Sequence, residues 1–145
     1  MPRARQVLRA AVVAGAVSGL PSALAAVRAQ RDPLSPTRAA GRMLLPDERR
    51  LLPLVGAATV VHAVLSTGWT CVIAATLPRD AGRLRSLAHG TLMGGAIAAA
   101  DLGLAHATRH PRLVAVADLE VQSQVADHLV FGAVTGLMLG RPRHR

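Results

Sequence analysis

The chain has 145 residues, enough for one domain, and 51% of them are apolar, which gives a mean hydropathy of +0.35. The apolar residues form long blocks separated by arginines, a pattern typical of integral membrane proteins that excludes an ordinary soluble domain. The formal charge of +9 would suit nucleic acid, but only Trp69 and Phe131 are aromatic, so the chain lacks a stacking surface for bases and we expect no nucleic-acid partner.

The first apolar run covers residues 7–27. It overlaps the end of a basic tail, residues 1–9, which carries three arginines. About 20 residues at about 1.5 Å per residue cross a hydrocarbon core of about 30 Å, so this run is a candidate first span. Gly15 and Gly19, four residues apart, give it a face suited to helix packing. A cleaved signal peptide is the alternative, because the run ends in Ala23-Leu24-Ala25, which fits cleavage before Ala26.

Residues 28–50 form the longest polar segment, with six arginines and three prolines. Thr37 to Leu45 lies between two of the prolines, and it is either a short helix in the membrane interface or a plain solvated loop. In either case we expect the segment to lie outside the hydrocarbon core.

Three further apolar runs follow, at residues 52–77, 87–106 and 121–140. They are joined by short basic connections that contain Pro78 and Pro111. The single Cys71 lies within the first of these runs, where we expect a small buried side chain and no disulfide. The sequence therefore predicts an all-α fold, a four-helix transmembrane bundle that fills residues 1–145 as one membrane domain.

A weak internal repeat divides the chain into two helical hairpins. Each has a helix rich in small residues, a basic connection with proline, and a second helix with a histidine near its start, His62 or His128. Because each hairpin returns the chain to the same side of the membrane, the two would be parallel repeats.

Four spans place both termini on one side of a bacterial inner (plasma) membrane. That side carries nine arginines, three in each terminal tail and three in the connection around Pro78, against eight in the two other connections. The nine lie close to helix ends, whereas six of the eight are spread over residues 28–50. The positive-inside rule therefore predicts a multi-pass protein with both termini in the cytoplasm.

Glycines recur at intervals of four residues on several predicted helices, which puts them on one face. Such faces let helices approach closely, either inside one bundle or between two membrane proteins. With four helices to pack, we expect the contacts inside the bundle, while a homo-oligomer or another membrane protein stays open as a partner besides the lipid bilayer. The glycines are Gly15, Gly19, Gly90, Gly94, Gly132, Gly136 and Gly140.

Four ionisable residues fall within the predicted spans, at similar depth when residues are counted along each helix. They are His62, Asp101, Asp127 and His128. Charges inside a membrane are costly and usually functional, and a carboxylate beside an imidazole exchanges protons near neutral pH. The four also form a plausible set for a divalent metal, but no metal-binding spacing is present, so the metal is unknown and no cofactor is expected.

The combination of Gly15-x-x-x-Gly19, Arg31-Asp32-Pro33 followed by Pro36-x-Arg38, and Asp127-His128-x-x-Phe131-Gly132-x-x-x-Gly136 resembles small four-helix integral membrane proteins of high-GC bacteria. That resemblance covers most of the chain and implies no activity. The small multidrug transporters are similar in length and number of spans, but their glutamate within the first helix has no counterpart here.

The sequence thus favours a structural or accessory membrane bundle, in which intramembrane polar residues bond between helices at about 0.6 kcal/mol each. The alternative is a small proton- or cation-coupled transporter or channel that uses the Asp/His cluster. An enzyme is the weakest hypothesis, since the chain shows no nucleophile paired with a base and no nucleotide-binding loop.

Overall fold

The computed structural model describes residues 4–78 and 80–140, and within them every regular element is an α-helix. The predicted all-α class is therefore confirmed. The arginines of the tails at 1–3 and 141–145, and Arg79, lie outside the described residues. In chain order the helices are α1 (Ala4–Ser18), α2 (Leu20–Arg28), α3 (Ser35–Arg42), α4 (Leu51–Thr76), α5 (Arg83–Thr108), α6 (Val114–Ala117) and α7 (Val121–Leu139).

Three of the four predicted spans are long and apolar enough to cross a membrane: Ala4–Arg28, Leu51–Thr76 and Arg83–Thr108. The fourth predicted span is a helix of 19 residues, α7, that does not reach the same apolarity. Polar residues, among them Gln122, Asp127 and His128, occupy its first half. The described residues therefore form an all-helical chain with three candidate membrane-spanning helices.

Large apolar side chains cover the outer surface of these helices, as lipid-facing surfaces require. Val12 and Leu24 are exposed on the first segment, Leu52 and Val64 on α4, and Leu92 on α5. Cys71 also lies exposed on α4, so its predicted burial is wrong. Its position in an apolar run did not distinguish a core-facing side chain from an outward-facing one.

The first apolar segment is interrupted where the sequence predicted one continuous helix over residues 7–27. It breaks at Gly19, which separates α1 from α2. Pro21 then lies in the first turn of α2, where its missing amide hydrogen costs no helical hydrogen bond. The two pieces still form one segment of 25 residues, Ala4–Arg28.

The two connections at one end of the molecule contain short helices. Of the two alternatives for residues 37–45, the short helix forms, as α3, displaced toward the amino terminus, and Gly41 brings it against the backbone of Leu54 in α4. The four-residue helix α6 has no counterpart among the predicted elements. α3 and α6 contact each other, and the Arg112 side chain donates to the carbonyl of Met43 at 3.5 Å, so both connections close the same end.

Helix α7 lies at the centre of the molecule. It packs against α1, α2 and α5, whereas α4 packs mainly against α1 and α3 and has few contacts with α5. Gln6 donates a hydrogen bond to the carbonyl of Met138 at 3.0 Å, so the start of α1 lies beside the end of α7. α1 therefore lies between α4 and α7, and α7 lies between α1 and α5.

Glycines allow α5 and α7 to approach until their backbones touch. A Cβ added at Gly90 would overlap the carbonyl oxygen of Gly132, and one added at Gly136 would overlap that of Ser86. Gly94 lies in the same way against the backbone of His128. These glycines lie where α5 meets α7, and their missing side chains let the two helix backbones come into contact.

The remaining glycines of the predicted packing faces differ from one another. A Cβ added at Gly15 would lie 2.7 Å from Oγ of Ser66, so Gly15 lies where α1 meets α4. One added at Gly140 would lie 3.0 Å from Oγ of Ser86. Gly19 is exposed with nothing within 4 Å of an added Cβ, so it does not pack.

The bundle is packed closely at the end that holds the start of α1 and the end of α7. Its core there is built from small and medium side chains, Ala10, Ala14, Ile73, Ile97, Phe131 and Leu139. The opposite half, toward α3 and α6, is packed less closely. It contains a cavity.

Candidate functional site

The cavity lies between the helices at the end closed by α3 and α6, and its volume is about 310 Å³. Every helix contributes to its lining. Most of the wall is apolar, formed by Val61, Leu65, Trp69, Ile97, Leu102 and Phe131 among others. Its polar lining side chains are Ser18, Ser22, His62, Ser66, Asp101, Gln124, Asp127 and His128.

All four ionisable residues singled out in the sequence line this one cavity. At about 1.5 Å per residue, Asp127 lies about 9 Å from the start of α7, and Asp101 about 10 Å from the end of α5. His62 lies deeper, about 17 Å from the start of α4. The structure brings them together as two groups, one built around Asp127 and one around Asp101.

Asp127 is held by Ser22, across the interface between α7 and α2. Its Oδ1 accepts the backbone amide of Ser22 at 3.0 Å, and its Oδ2 accepts the Ser22 hydroxyl in a short hydrogen bond. The amide is available because the break at Gly19 makes Ser22 part of a new helical first turn, whose amides have no partner within the helix. A carboxylate is favoured there, since a helix amino terminus carries partial positive charge.

His128 and Asp101 form the second group, which joins α7 to α5. Nε2 of His128 lies 3.4 Å from Oδ2 of Asp101, and the two side chains are 24% and 34% exposed. Nδ1 of His128 lies 2.7 Å from the carbonyl oxygen of Gln124, one turn earlier. A carbonyl only accepts hydrogen bonds, so Nδ1 carries a proton.

That proton on Nδ1 determines the chemistry at the other ring nitrogen. A neutral imidazole protonated at Nδ1 presents a lone pair at Nε2, which repels a carboxylate oxygen. The contact between His128 and Asp101 is favourable only when a further proton lies between them, as an imidazolium with a carboxylate or as an imidazole with a carboxylic acid. The pair is therefore built to hold a proton inside the bundle.

His62 reaches the cavity from α4 and is exposed there. It lies close enough to Asp127 and His128 for their charges to interact. The described residues contain no group of three or more His, Cys, Asp or Glu side chains placed to hold a metal ion. The four polar residues thus form two separated groups instead of the single metal-ligand set that the sequence left open.

Three further residues belong to the site: Ser22, Gln124 and Trp69. Ser22 holds Asp127 through its backbone amide and its hydroxyl. Gln124 is buried and donates to the carbonyls of Val116 and Leu119 at 3.1 and 3.3 Å, which ties α7 to the connection around α6.

Trp69 lines the cavity from α4, and its indole Nε1 is buried without a hydrogen-bond partner among the described residues. The sequence carries a signal for Gln124, since it lies four residues before His128 on the same helical face. It carries none for Trp69, which stands in an apolar run like any core residue.

Comparison of the chain with protein families, with curated proteins and with solved structures finds no significant match. The function therefore has to be argued from the cavity and its polar groups.

Proposed function

We propose that the chain is a small integral membrane protein that moves protons or a cation through its polar cavity. The observation that carries this proposal is the contact between His128 and Asp101, which lies in the cavity and requires a proton between its two partners. A pair that shares a proton in this way passes it on when water reaches the pair, as intramembrane relays do.

The membrane placement is supported by three helical segments of sufficient length and apolarity and by their exposed apolar side chains. We infer that α7 crosses as a fourth helix. It runs beside Ala4–Arg28 from Met138, bonded to Gln6, to Asp127, bonded to Ser22, so both segments share the same depth. Its low apolarity has a cause, because its polar side chains line the cavity instead of facing lipid.

We infer the orientation from the distribution of the arginines, which favours both termini in the cytoplasm. The cavity then lies toward the outer face, beneath α3 and α6. A proton entering from that side meets Asp127 and the pair of His128 and Asp101 at about 10 Å from the helix ends, and His62 lies deeper in the cavity. The closely packed half around Ala14 and Phe131 is the barrier that a transport cycle has to open.

A structural or accessory bundle is the second candidate function. It is supported by the bonds themselves, since Ser22 with Asp127 joins α2 to α7, and Asp101 with His128 joins α5 to α7. Each interhelical bond of this kind contributes about 0.6 kcal/mol on average in membranes. In this case the two pairs only fix the positions of the helices, and the protein transports neither protons nor cations.

Proton flux into vesicles separates the two candidates. The purified protein is reconstituted into vesicles that enclose a pH-sensitive dye, and a potassium diffusion potential drives protons inward. We expect flux above that of empty vesicles, and a decrease of about tenfold or more in Asp101→Asn. The exposed Asp47, outside the cavity, supplies the matched control Asp47→Asn, which should conduct like the wild type. Flux equal to that of empty vesicles would favour the structural bundle.

A further inference from the structure

The cavity is larger than a proton relay needs. Its volume of about 310 Å³ is about ten times that of a water molecule in the liquid, and it reaches the range of small-molecule sites. Its wall is mostly apolar, with the polar groups confined to one part. Such a cavity fits a small molecule with an apolar body and one polar head better than a hydrated ion.

The opening of the cavity faces sideways. α4 and α5 both line it but have few contacts with each other. Leu65 of α4 and Leu104 of α5 line the cavity and are 40% and 56% exposed, so they stand at its edge. The end of the bundle is covered instead by α3 and α6, which touch each other. In a membrane, this gap opens to lipid chains.

The charges on the polar wall determine which charge the polar head of the bound molecule should carry. Asp127 is a carboxylate held by two hydrogen bonds from Ser22, and the pair of Asp101 and His128 is neutral overall when it holds its proton. The wall therefore presents the negative charge of Asp127 to the cavity. The ring of Trp69 lines the same cavity, and an aromatic face attracts a cation.

We propose that the cavity binds a small amphipathic amine, protonated at its head, which enters from the bilayer through the gap between α4 and α5. The ammonium group lies against Asp127 and the apolar body against Trp69 and Phe131. This inference rests on the proposed function for the placement of the cavity in the membrane and names the cation that the site takes.

Fluorescence of Trp69 tests the binding directly, because it is the single tryptophan and the chain contains no tyrosine. The protein in detergent micelles is titrated with decylamine, decanol and decanoate, which share their chain and differ in head group. We expect a saturable change with decylamine, a weaker one with decanol, and none with decanoate at equal concentration. Equal responses to decylamine and decanoate would overturn the proposal.

Two variants separate binding in the cavity from partition into the micelle. Asp127→Asn keeps an acceptor for Ser22 but removes the charge, and it should weaken decylamine binding about tenfold, while Asp47→Asn should not change it. Asp127→Ser, which also removes the charge, is a second cavity variant in case the first does not fold. A decylamine titration identical in both folded cavity variants and in the wild type would contradict the site.

The route of entry has its own test. In vesicles, Leu65→Phe and Leu104→Phe narrow the gap and should slow the association of decylamine several-fold. Leu92→Phe on α5 is the matched control, since Leu92 is exposed and does not line the cavity. Equal rates in all three variants would contradict lateral entry.

Binding and flux fail independently. Proton flux without decylamine binding would overturn this inference and leave the proposed function intact. Decylamine binding without proton flux would support the site and count against proton transport.

Discussion

The backbone amide of Ser22 donates a hydrogen bond to Oδ1 of Asp127 at 3.0 Å, and the two residues lie 105 positions apart in the chain. The bond depends on the break at Gly19. Within a helix, only the residues of the first turn have backbone amides without a carbonyl partner in the same helix. The interruption of the first apolar segment thus creates the hydrogen-bond partner of a carboxylate inside the bundle.

The hydroxyl of Ser22 should contribute measurably to stability. Ser22→Ala removes the hydroxyl bond to Asp127 and keeps the amide bond, and we expect a loss of about 1 to 2 kcal/mol in the free energy of unfolding. Unfolding followed by circular dichroism in detergent measures it. Ser123→Ala, which removes only a local bond to the carbonyl of Glu120, is the control, and equal stability of the two variants would contradict the role of Ser22.

The close approach of α5 and α7 predicts opposite effects for two glycine substitutions. Gly132→Ala forces the helices apart, since its Cβ would overlap the backbone of Gly90, and it should destabilise the fold by about 2 kcal/mol or more. Gly68→Ala adds a methyl group where nothing lies within 4 Å and should be neutral or stabilising by up to about 1 kcal/mol. Thermal unfolding of both proteins in detergent checks the sign of each change. A neutral Gly132→Ala would contradict the interface.

Glu48, in the connection before α4, should titrate in acid. Its carboxylate accepts bonds from the Arg50 side chain at 2.9 and 3.1 Å and from the backbone amides of Arg49 and Arg50. The Arg50 side chain, followed by its backbone amide, lowers the pKa of Glu48 from 4.5 to about 2.

Because this pKa is depressed in the folded protein, the pair stabilises the fold fully above pH 4.5, and the contribution is lost as the pH falls through about 2. Carboxyl chemical shifts followed by NMR should give the low midpoint in the wild type. In Arg50→Gln the midpoint should move back toward 4.5. A midpoint that is the same in both proteins would show that the ion pair does not form.

Thiol labelling tests the orientation. In a Cys71→Ser background, Asp47→Cys in the connection that contains α3 should react with a membrane-impermeant maleimide on intact cells. Asp80→Cys, in the connection between α4 and α5, should react only after the membrane is permeabilised. Both positions are exposed, so burial does not interfere. The reverse pattern would place the cavity on the cytoplasmic side.

The sequence was sufficient to predict the helical class, because long apolar runs between polar connections indicate helices. It was not sufficient to predict the partners. Asp101 pairs with His128, and that choice depends on the rotation of α5 against α7, which the contact between Gly90 and Gly132 sets. Periodicity along one helix carries no such information.

The other differences have equally local causes. The helix break at Gly19 and Pro21 lies inside a continuous apolar run, so the hydropathy pattern does not reveal it. α6 is too short to produce a periodic pattern. The cavity itself could not be predicted, since it results from the few contacts between α4 and α5, a relationship between residues distant in the chain.

Proton flux through a double-mutant cycle tests the central claim most directly. Asp101→Asn, His128→Gln and the double variant are compared with the wild type in the same vesicles, with the Asp47→Asn protein as control. Because the two residues share one proton, we predict that each single variant loses about as much flux as the double variant. Wild-type flux in either single variant, or losses that add independently in the double variant, would contradict transport through this pair.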